Sequence, residues 1–165
     1  MPAQNEVRIE PATLEDLPQL TELLVELFTQ EPDFRPDREA HVRGLRLILE
    51  QPNRGRVFVA RDPGSNYLIG MVNLLFTIST AEGGFVILLE DLVIHPRHRG
   101  RGFGTLILEH SIRYARSKNF LRLTLLTDKI DHPSVRFFEK MGFRRSEMVP
   151  MRLLLNTPGE SPRSI

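Results

Sequence analysis

The sequence predicts a mixed α/β fold of the α+β kind, in which a mostly antiparallel sheet of six to seven strands is flanked by about four helices. Short apolar or alternating runs end at turns that contain glycine or proline, as strands do. Other segments repeat apolar residues three and four positions apart, which indicates helices with one buried face. A strand, a glycine-rich loop and a helix follow one another between residues 85 and 119.

The length and composition predict one domain with a core of its own. The chain has 165 residues, of which 41% are hydrophobic, and both values are ordinary for a globular domain. We expect this domain over residues 1–155 and a disordered tail over residues 156–165, where prolines and serines replace the apolar pattern. No apolar run approaches the roughly twenty residues that a membrane helix needs.

The first half of the chain predicts one strand, two helices and a hairpin. Thr13 can cap the first helix, and the two prolines between residues 31 and 36 separate it from the second. The hairpin turns at Asp62–Asn66, which contains proline, glycine and asparagine. In order, the elements are predicted at residues 7–10 (strand), 14–30 (helix), 37–50 (helix), 56–60 (strand) and 67–78 (strand).

The second half predicts the remaining four strands and two helices. The last helix has Pro133 in its first turn and Gly142 at its C-terminal end. The final strand includes Met151–Leu155, which is apolar enough to pair across a homodimer. In order, the elements are predicted at residues 85–94 (strand), 105–118 (helix), 121–127 (strand), 133–141 (helix), 143–145 (strand) and 148–155 (strand).

The loop before the third helix predicts a binding site for a polyphosphate. His95-Pro96 ends the strand, since proline cannot donate to a sheet ladder. Three glycines then let the backbone curl, so that the N–H groups at the helix start point at one spot: Gly100, Gly102 and Gly104. Three arginines beside them carry guanidinium groups suited to phosphate oxygens: Arg97, Arg99 and Arg101.

Other interpretations of this loop fit less well. A Walker A loop needs lysine and Ser or Thr after its last glycine, whereas Gly104 is followed by Thr105-Leu106. The glycine spacing does not match the dinucleotide fingerprint either. Nucleic-acid binding is disfavoured by a formal net charge of only +1. A plain turn needs one glycine rather than three.

The pattern Arg99-x-x-Gly102-x-Gly104 resembles the pyrophosphate loop (Q/R-x-x-G-x-G/A) of the GNAT superfamily of N-acetyltransferases. Downstream, Phe137–Phe143 resembles the family's F-Y-E-K-x-G-F element, and the resemblance extends from about Val7 to Leu155. It implies acetyl-CoA as co-substrate and no metal. It also implies that the fourth and fifth strands splay apart, which opens a V-shaped slot for pantetheine.

The resemblance implies a set of coenzyme-binding residues. Backbone groups of the central strand would hold pantetheine and polarise the thioester, with the Leu92 N–H favoured as the oxyanion donor. Main-chain amides of the loop would hold the diphosphate. The residues expected to bind the coenzyme are Leu92, Val93, Ile94, Arg97, Arg99, Gly100, Arg101, Gly102, Phe103, Gly104, Thr105, Asp131, Ser134 and Phe138.

Two adjacent carboxylates are the candidates for the general base, Glu90 and Asp91. An alkyl ammonium has a pKa of about 10.4 and must lose a proton before it attacks. Successive strand side chains alternate faces, so at most one of the two points into the acceptor cleft unless a bulge intervenes. Glu90 is favoured because Asp91 would share a face with Val93, which should pack inside. A solvated pair of strand-end carboxylates is the alternative.

The family's general acid is absent. In the F-Y-E-K-x-G-F element the tyrosine usually protonates the departing thiolate, and Phe138 stands at that position. Solvent would then supply the proton, or a substitute would: Ser134, His132 or Tyr67. Where the family often has asparagine ahead of this element, this chain has Asp131.

The segment between the first two helices is the expected acceptor-binding loop. Glu31, Asp33 and Phe34 could form an acidic, partly aromatic mouth for a cation, and an ordinary solvated loop is the alternative. We therefore expect a cytoplasmic N-acetyltransferase that moves the acetyl group of acetyl-CoA to a primary amine of a small molecule by direct attack in a ternary complex. The alternatives are an acyl-CoA-binding sensor or assembly protein of the same fold, and a peptide or protein N-acetyltransferase.

Overall fold

The computed structural model describes Ala3 and residues 6–128 and 132–155. Contacts divide the chain into two compact units, Met1–Leu126 and Thr127–Ile165. The sheet and three of the four helices belong to the first unit, and the last helix belongs to the second. The single domain over residues 1–155 stays a prediction, and the predicted tail over residues 156–165 lies outside the described residues.

The first unit is built on a five-stranded sheet whose strands lie in chain order. Neighbouring strands pair antiparallel except for the last two, β4 and β5, which are parallel. This confirms the mixed, mostly antiparallel sheet. The strands are β1 (Arg8–Pro11), β2 (Gly55–Arg61), β3 (Leu68–Ser79), β4 (Gly84–Ile94) and β5 (Leu123–Leu125).

The four helices form where apolar periodicity and caps predicted them. The N–H of Thr13 donates to Oδ2 of Asp16 at 2.9 Å ahead of the first helix. The carboxylate of Asp37 accepts from the N–H of Ala40 at 3.1 Å and begins the second. Such caps satisfy amides that have no partner inside the helix. The helices are α1 (Leu17–Gln30), α2 (Arg38–Leu49), α3 (Phe103–Ser117) and α4 (Pro133–Lys140).

The main core lies between one face of the sheet and helices α1 and α2. Leu20 of α1 and Leu45 of α2 pack in one buried cluster with Val59 and Met71 of the sheet. Fully burying each such side chain contributes about 1.5–3 kcal/mol. The alternate residues of β2 face α3, as the edge-on contact between the rings of Phe58 and Tyr114 shows.

A buried ion-pair cluster joins the start of the chain to the end of β2. The Arg61 guanidinium bonds to both carboxylate oxygens of Asp16, at 3.0 and 2.8 Å, and to Glu10 at 2.5 Å. Burial alone would raise the pKa of Asp16. Hydrogen bonds from Arg61 and Thr13 outweigh it and hold that pKa below its ordinary value.

The predicted strands at residues 143–145 and 148–155 do not form among the described residues. No residue from 143 to 155 takes part in a ladder, and the sheet has five strands rather than six or seven. A strand is stable only when a neighbour pairs with it, and Pro150 withdraws one of the donors. The apolar alternation of Met151–Leu155 therefore predicted a strand that has no ladder here.

Candidate active site

A bulge interrupts β4 where the candidate bases lie. Asn73 pairs with Glu90 and Met71 pairs with Val93, so Asp91 and Leu92 together lie opposite Val72. Asp91 has a φ of 54°, in the left-handed region that few residues other than glycine, asparagine and aspartate adopt. The extra residue bends the strand and redirects its side chains. Such a bulge is the condition under which Glu90 and Asp91 need not point to opposite faces of the sheet.

The bulge lies where β4 loses its other neighbour. β5 pairs only with Ile87–Leu89, so residues 90–94 extend beyond it. The N–H of His95 donates to Ile69 on β3 at 2.8 Å. Backbone groups alternate sides along a strand, so the N–H groups of Leu92 and Ile94 face away from β3. They lie along the edge that β5 does not reach, as the predicted slot between these two strands requires.

Asp91 is a largely buried carboxyl with a perturbed pKa. Its Oδ2 accepts a hydrogen bond of 2.6 Å from Nδ2 of Asn73. Burial, followed by the charges of Glu90 and Glu31, raises the pKa of Asp91 to about 6, although the bond from Asn73 acts in the opposite direction. A carboxyl that titrates close to neutrality is suited to take a proton from an amine.

Glu90 lies on the same side of the sheet but is exposed. It is the direct partner of Asn73 in the ladder, and directly opposed residues share a face. Both carboxylates therefore flank Asn73, whereas strict alternation would have separated them. Val93 is buried, as predicted. The inward face that Asp91 shares with Val93 was expected to disfavour Asp91 as the base. Burial on that face is instead what raises the pKa of the Asp91 carboxyl.

Asn73 is a site residue that the sequence did not reveal. It lies in the middle of an otherwise apolar strand and is only 3% exposed. A lone amide inside the run Leu68–Phe76 was a usable signal, because polar side chains in buried strands need a specific partner. The identity of that partner depends on the bulge.

The loop after β4 has the tight turn that the predicted anion site requires. Gly100 and Gly102 have φ angles of 73° and 83°, and both are exposed. The first helical hydrogen bond runs from the N–H of Leu106 to the carbonyl of Gly102 at 3.1 Å. The N–H groups of residues 103–105 therefore have no carbonyl partner within the helix, and the positive end of the dipole of α3 lies with them.

The three arginines of the loop differ in what they contact. The guanidinium of Arg99 bonds to the carbonyl of Ile94 at 3.0 Å and to Glu26 of α1 at 3.3 Å, so it ties the loop to the end of β4. Arg101 lies over the ring of Phe103, with its Cζ 5.3 Å from the ring centroid. Arg97 is exposed. The expectation that all three side chains surround the anion stays a prediction.

A cluster of aromatic rings packs around His98 in the loop. His98 is only 8% exposed. Its ring lies 5.8 Å from Tyr67, 6.0 Å from His95 and 6.1 Å from Phe103, measured between ring centroids. Burial, followed by nearby positive charges, lowers the pKa of both histidines. The loop therefore packs on aromatic rings, and the predicted substitute acid Tyr67 carries one of them.

The expected acceptor loop leads away from α1 beside two further rings. Phe34 is 45% exposed and makes an edge-on contact of 6.0 Å with Phe28. Phe28 in turn stacks on His41 of α2 at 4.9 Å. The charge of Glu31 acts on Asp91, so this loop and the bulge share one electrostatic environment.

The second compact unit carries the remaining predicted residues. The hydroxyl of Ser134 donates to Asp128 at 2.8 Å and lies 2.8 Å from Nδ1 of His132. Phe138 packs between Phe137 and Phe143, with centroid distances of 5.1 and 5.8 Å. Asp131 lies outside the described residues.

The described part of the chain contains neither a membrane-spanning helix nor a cluster of metal ligands. Among its helices, none is both long and apolar enough to cross a membrane. Within the same residues, no group of three or more His, Asp or Glu side chains could hold a metal ion.

Comparisons with known proteins place this arrangement among acetyltransferases. The family model described as "Acetyltransferase (GNAT) family" matches residues 17–143. The streptothricin acetyltransferase of Streptomyces lavendulae is 31% identical over 55 residues, which are 33% of this chain and 29% of that protein. The glucosamine 6-phosphate N-acetyltransferase of Trypanosoma brucei brucei is 30% identical over 93 residues, 56% of this chain and 60% of that protein. The matches thus span less than two thirds of either relative.

A solved structure extends the similarity to nearly the full length. The crystal structure of a Trypanosoma brucei acetyltransferase superposes with a TM-score of 0.70 at 26% identity, covering 90% of this chain and 99% of that one.

Proposed function

This chain belongs to the GNAT family of acetyltransferases, and we propose that it moves the acetyl group of acetyl-CoA to a primary amine of a small molecule by direct attack in a ternary complex. The bulge in β4 carries the proposal. It places a carboxyl of pKa about 6 one residue from the Leu92 N–H, at the edge that β5 leaves open. A proton acceptor and an oxyanion donor are the two groups that this reaction needs from the protein.

The residues present fit acetyl-CoA. When bound, this co-substrate supplies an acetyl group activated as a thioester. The N–H groups of Phe103, Gly104 and Thr105 at the start of α3 would hold its diphosphate, with the guanidinium groups of Arg97 and Arg101 beside them. Backbone groups of residues 92–94 would hold pantetheine along the open edge of β4.

Asp91 is the proposed general base. Its carboxylate takes one proton from the acceptor's ammonium, and the resulting amine nitrogen forms the new bond to the acetyl carbon. The carbon–sulfur bond then breaks, the nitrogen loses its second proton to solvent, and the departing thiolate takes a proton from solvent. The Leu92 N–H donates to the carbonyl oxygen as negative charge develops there. The exposed Glu90 is the second candidate, and it keeps the cleft acidic in either case.

The acceptor is proposed to be a small cationic amine. The charges of Glu31 and Glu90 both act on Asp91, and the partly exposed Phe34 is an aromatic side chain of the kind that attracts cations. The two relatives named above are streptothricin and glucosamine 6-phosphate acetyltransferases, both named for small-molecule acceptors. A cytoplasmic location and a homodimer are proposed with it.

An amine panel tests the function. Acetyl-CoA turnover would be followed with glucosamine 6-phosphate, streptothricin, spermidine, an aminoglycoside and a peptide with a free N-terminus. We expect turnover with at least one non-peptide amine, and a fall of about 10²–10⁴ in kcat/KM for Asp91→Asn. If Glu90→Gln shows that loss and Asp91→Asn does not, the base is Glu90. Turnover with the peptide alone would contradict the small-molecule acceptor.

One observation favours a second candidate function, an acyl-CoA-binding sensor without turnover. Phe138 stands at the position of the family's tyrosine acid, and it packs between two phenylalanines. Tight coenzyme binding with no turnover over the whole panel would support the sensor. Measurable acetylation of any amine would exclude it.

The loop assignment has its own test with a matched control. Gly102→Glu places a bulky anion where phosphate oxygens are proposed to bind, and we expect calorimetric titration with coenzyme A to show no binding. Gly83→Glu is the control, because Gly83 also has a positive φ of 78° but lies in the turn before β4. The control should fold with a similar strain and retain affinity. Equal affinities for both variants would contradict the assignment.

A further inference from the structure

Asn73 occupies a position in the sheet that suits an apolar residue. Its ladder partner on β2 is Val57, and Met71, two residues earlier on the same face, belongs to the main core. Its side chain is 97% buried, since only 3% is exposed. Among the described residues its Oδ1 finds no hydrogen-bond partner. An amide oxygen buried in this way is unfavourable for stability.

Among the described residues, the Asn73 side chain donates its hydrogen bond to the candidate base. Nδ2 donates to Oδ2 of Asp91 at 2.6 Å. Asn73 itself is held from both sides, by β2 and by β4, whereas Asp91 lies in the bulge and has no ladder partner. Asn73 is thus the more constrained residue, and its hydrogen bond fixes the side chain of Asp91.

We propose that Asn73 is the positioning residue of the transfer reaction, which holds the Asp91 carboxylate in one orientation, ionised and ready to accept a proton. The inference rests on the proposed role of Asp91 as general base. It explains why an asparagine lies on an apolar face of the sheet. Its Nδ2 donates to the base, and the stability lost by burying its Oδ1 without a partner accompanies that bond.

The charges around Asp91 support this role. Glu90 on β4 and Glu31 after α1 both act on the carboxyl, and both disfavour its ionised form, as burial does. The Asn73 amide is the group that opposes them. Without it, Asp91 would stay protonated to a higher pH and would be free to rotate.

The test removes the donor and follows Asp91 directly. Asn73→Leu keeps a similar volume without either polar atom. We expect ¹³C NMR of the Asp91 carboxyl to show its pKa raised by about one unit. The acid limb of kcat/KM, measured with the fastest amine of the panel, should move up equally. The KM for acetyl-CoA should stay within about twofold, because the loop is untouched. A residue that merely stabilised the fold would not move the limb.

Controls separate this inference from the proposed function. Ser111→Ala removes another buried polar group, one that bonds to the carbonyl of Ile107 on α3, and should leave the titration of Asp91 unchanged. Asn73→Val is a second donor-free variant in case leucine is not accommodated. Adding Asn73→Leu to Asp91→Asn should lower kcat/KM less than about twofold, since the two residues act as one unit.

Two results would overturn the inference in different ways. If the pKa of Asp91 stays within about 0.3 unit of wild type in both donor-free variants, Asn73 does not hold the carboxylate, although Asp91 can still be the base. If Asp91→Asn retains full turnover while Asn73→Leu shifts the titration, the contact is real and the base assignment has failed, and the positioning role fails with it.

Discussion

The pKa values of two aspartates of the same unit, the buried Asp16 and the half-buried Asp91, are shifted in opposite directions. Asp16 accepts two hydrogen bonds from the Arg61 guanidinium, and its pKa lies below the ordinary value. Asp91 accepts one bond from a neutral amide and is exposed to the negative charges of Glu90 and Glu31, and its pKa is raised to about 6. Burial disfavours ionisation at both sites. The charge of the hydrogen-bond partner therefore determines whether the pKa of such a carboxyl is lowered, as at Asp16, or raised, as at Asp91.

The two aspartates also affect the stability of the fold in opposite ways. An aspartate with a lowered pKa stabilises the fold above its unfolded pKa and loses that contribution as the pH falls. One with a raised pKa does the reverse, because the folded chain keeps a proton that the unfolded chain releases. Asp16 thus makes the fold more stable at neutral pH, and Asp91 makes it less stable there.

The largest effect is expected from removing the partner of Asp16. Arg61→Met leaves a carboxylate buried without its counter-charge, and we expect a loss of about 3–5 kcal/mol in the free energy of unfolding, measured with urea. The double variant Arg61→Met, Asp16→Asn should recover part of this loss, since no buried charge remains. A loss below about 1 kcal/mol in the single variant would show that the two aspartates do not differ as described.

A smaller effect of opposite sign is expected at Asp91. In wild type the free energy of unfolding should fall by up to about 3 kcal/mol as the pH rises from well below 4 to well above 6, because the pKa rises from 3.8 in the unfolded chain to about 6 in the folded one. Asp91→Asn removes this titration, and asparagine tolerates the positive φ.

The measurement is urea unfolding of both proteins from pH 4 to pH 8. Asp91→Asn should be the more stable protein at pH 8 and equal to wild type near pH 4. Parallel curves at all pH values would mean that the carboxyl of Asp91 is not perturbed in the folded state.

The smallest effect is expected from the distant charge. Glu31→Gln removes one repulsive neighbour, so the pKa of Asp91 and the acid limb of kcat/KM should move down by about 0.3 unit. Glu50→Gln is the matched control, since Glu50 lies at the end of α2 and pairs with Arg46. A shift in the control as large as in Glu31→Gln would indicate a general charge effect rather than a shared cleft.

Local chemistry made the loop and the helices predictable. Pro96 had to end β4, and Gly100 and Gly102 adopt the positive φ angles that a tight turn toward the N-terminus of α3 needs. Helix caps such as Asp37 also act within a few residues. These features depend on neighbours in the chain, so the residues themselves specify them.

By itself the sequence determined the order of the elements from β1 to α4, the mixed sheet and the glycine-rich turn before α3, and it named the pair of candidate bases. Only the tertiary structure decided which side chains meet: the bulge at Asp91, its bond to Asn73 eighteen residues away and the turn of Arg99 toward Glu26. Strand register and side-chain pairing depend on segments far apart in the chain. No local pattern encodes which of them become neighbours.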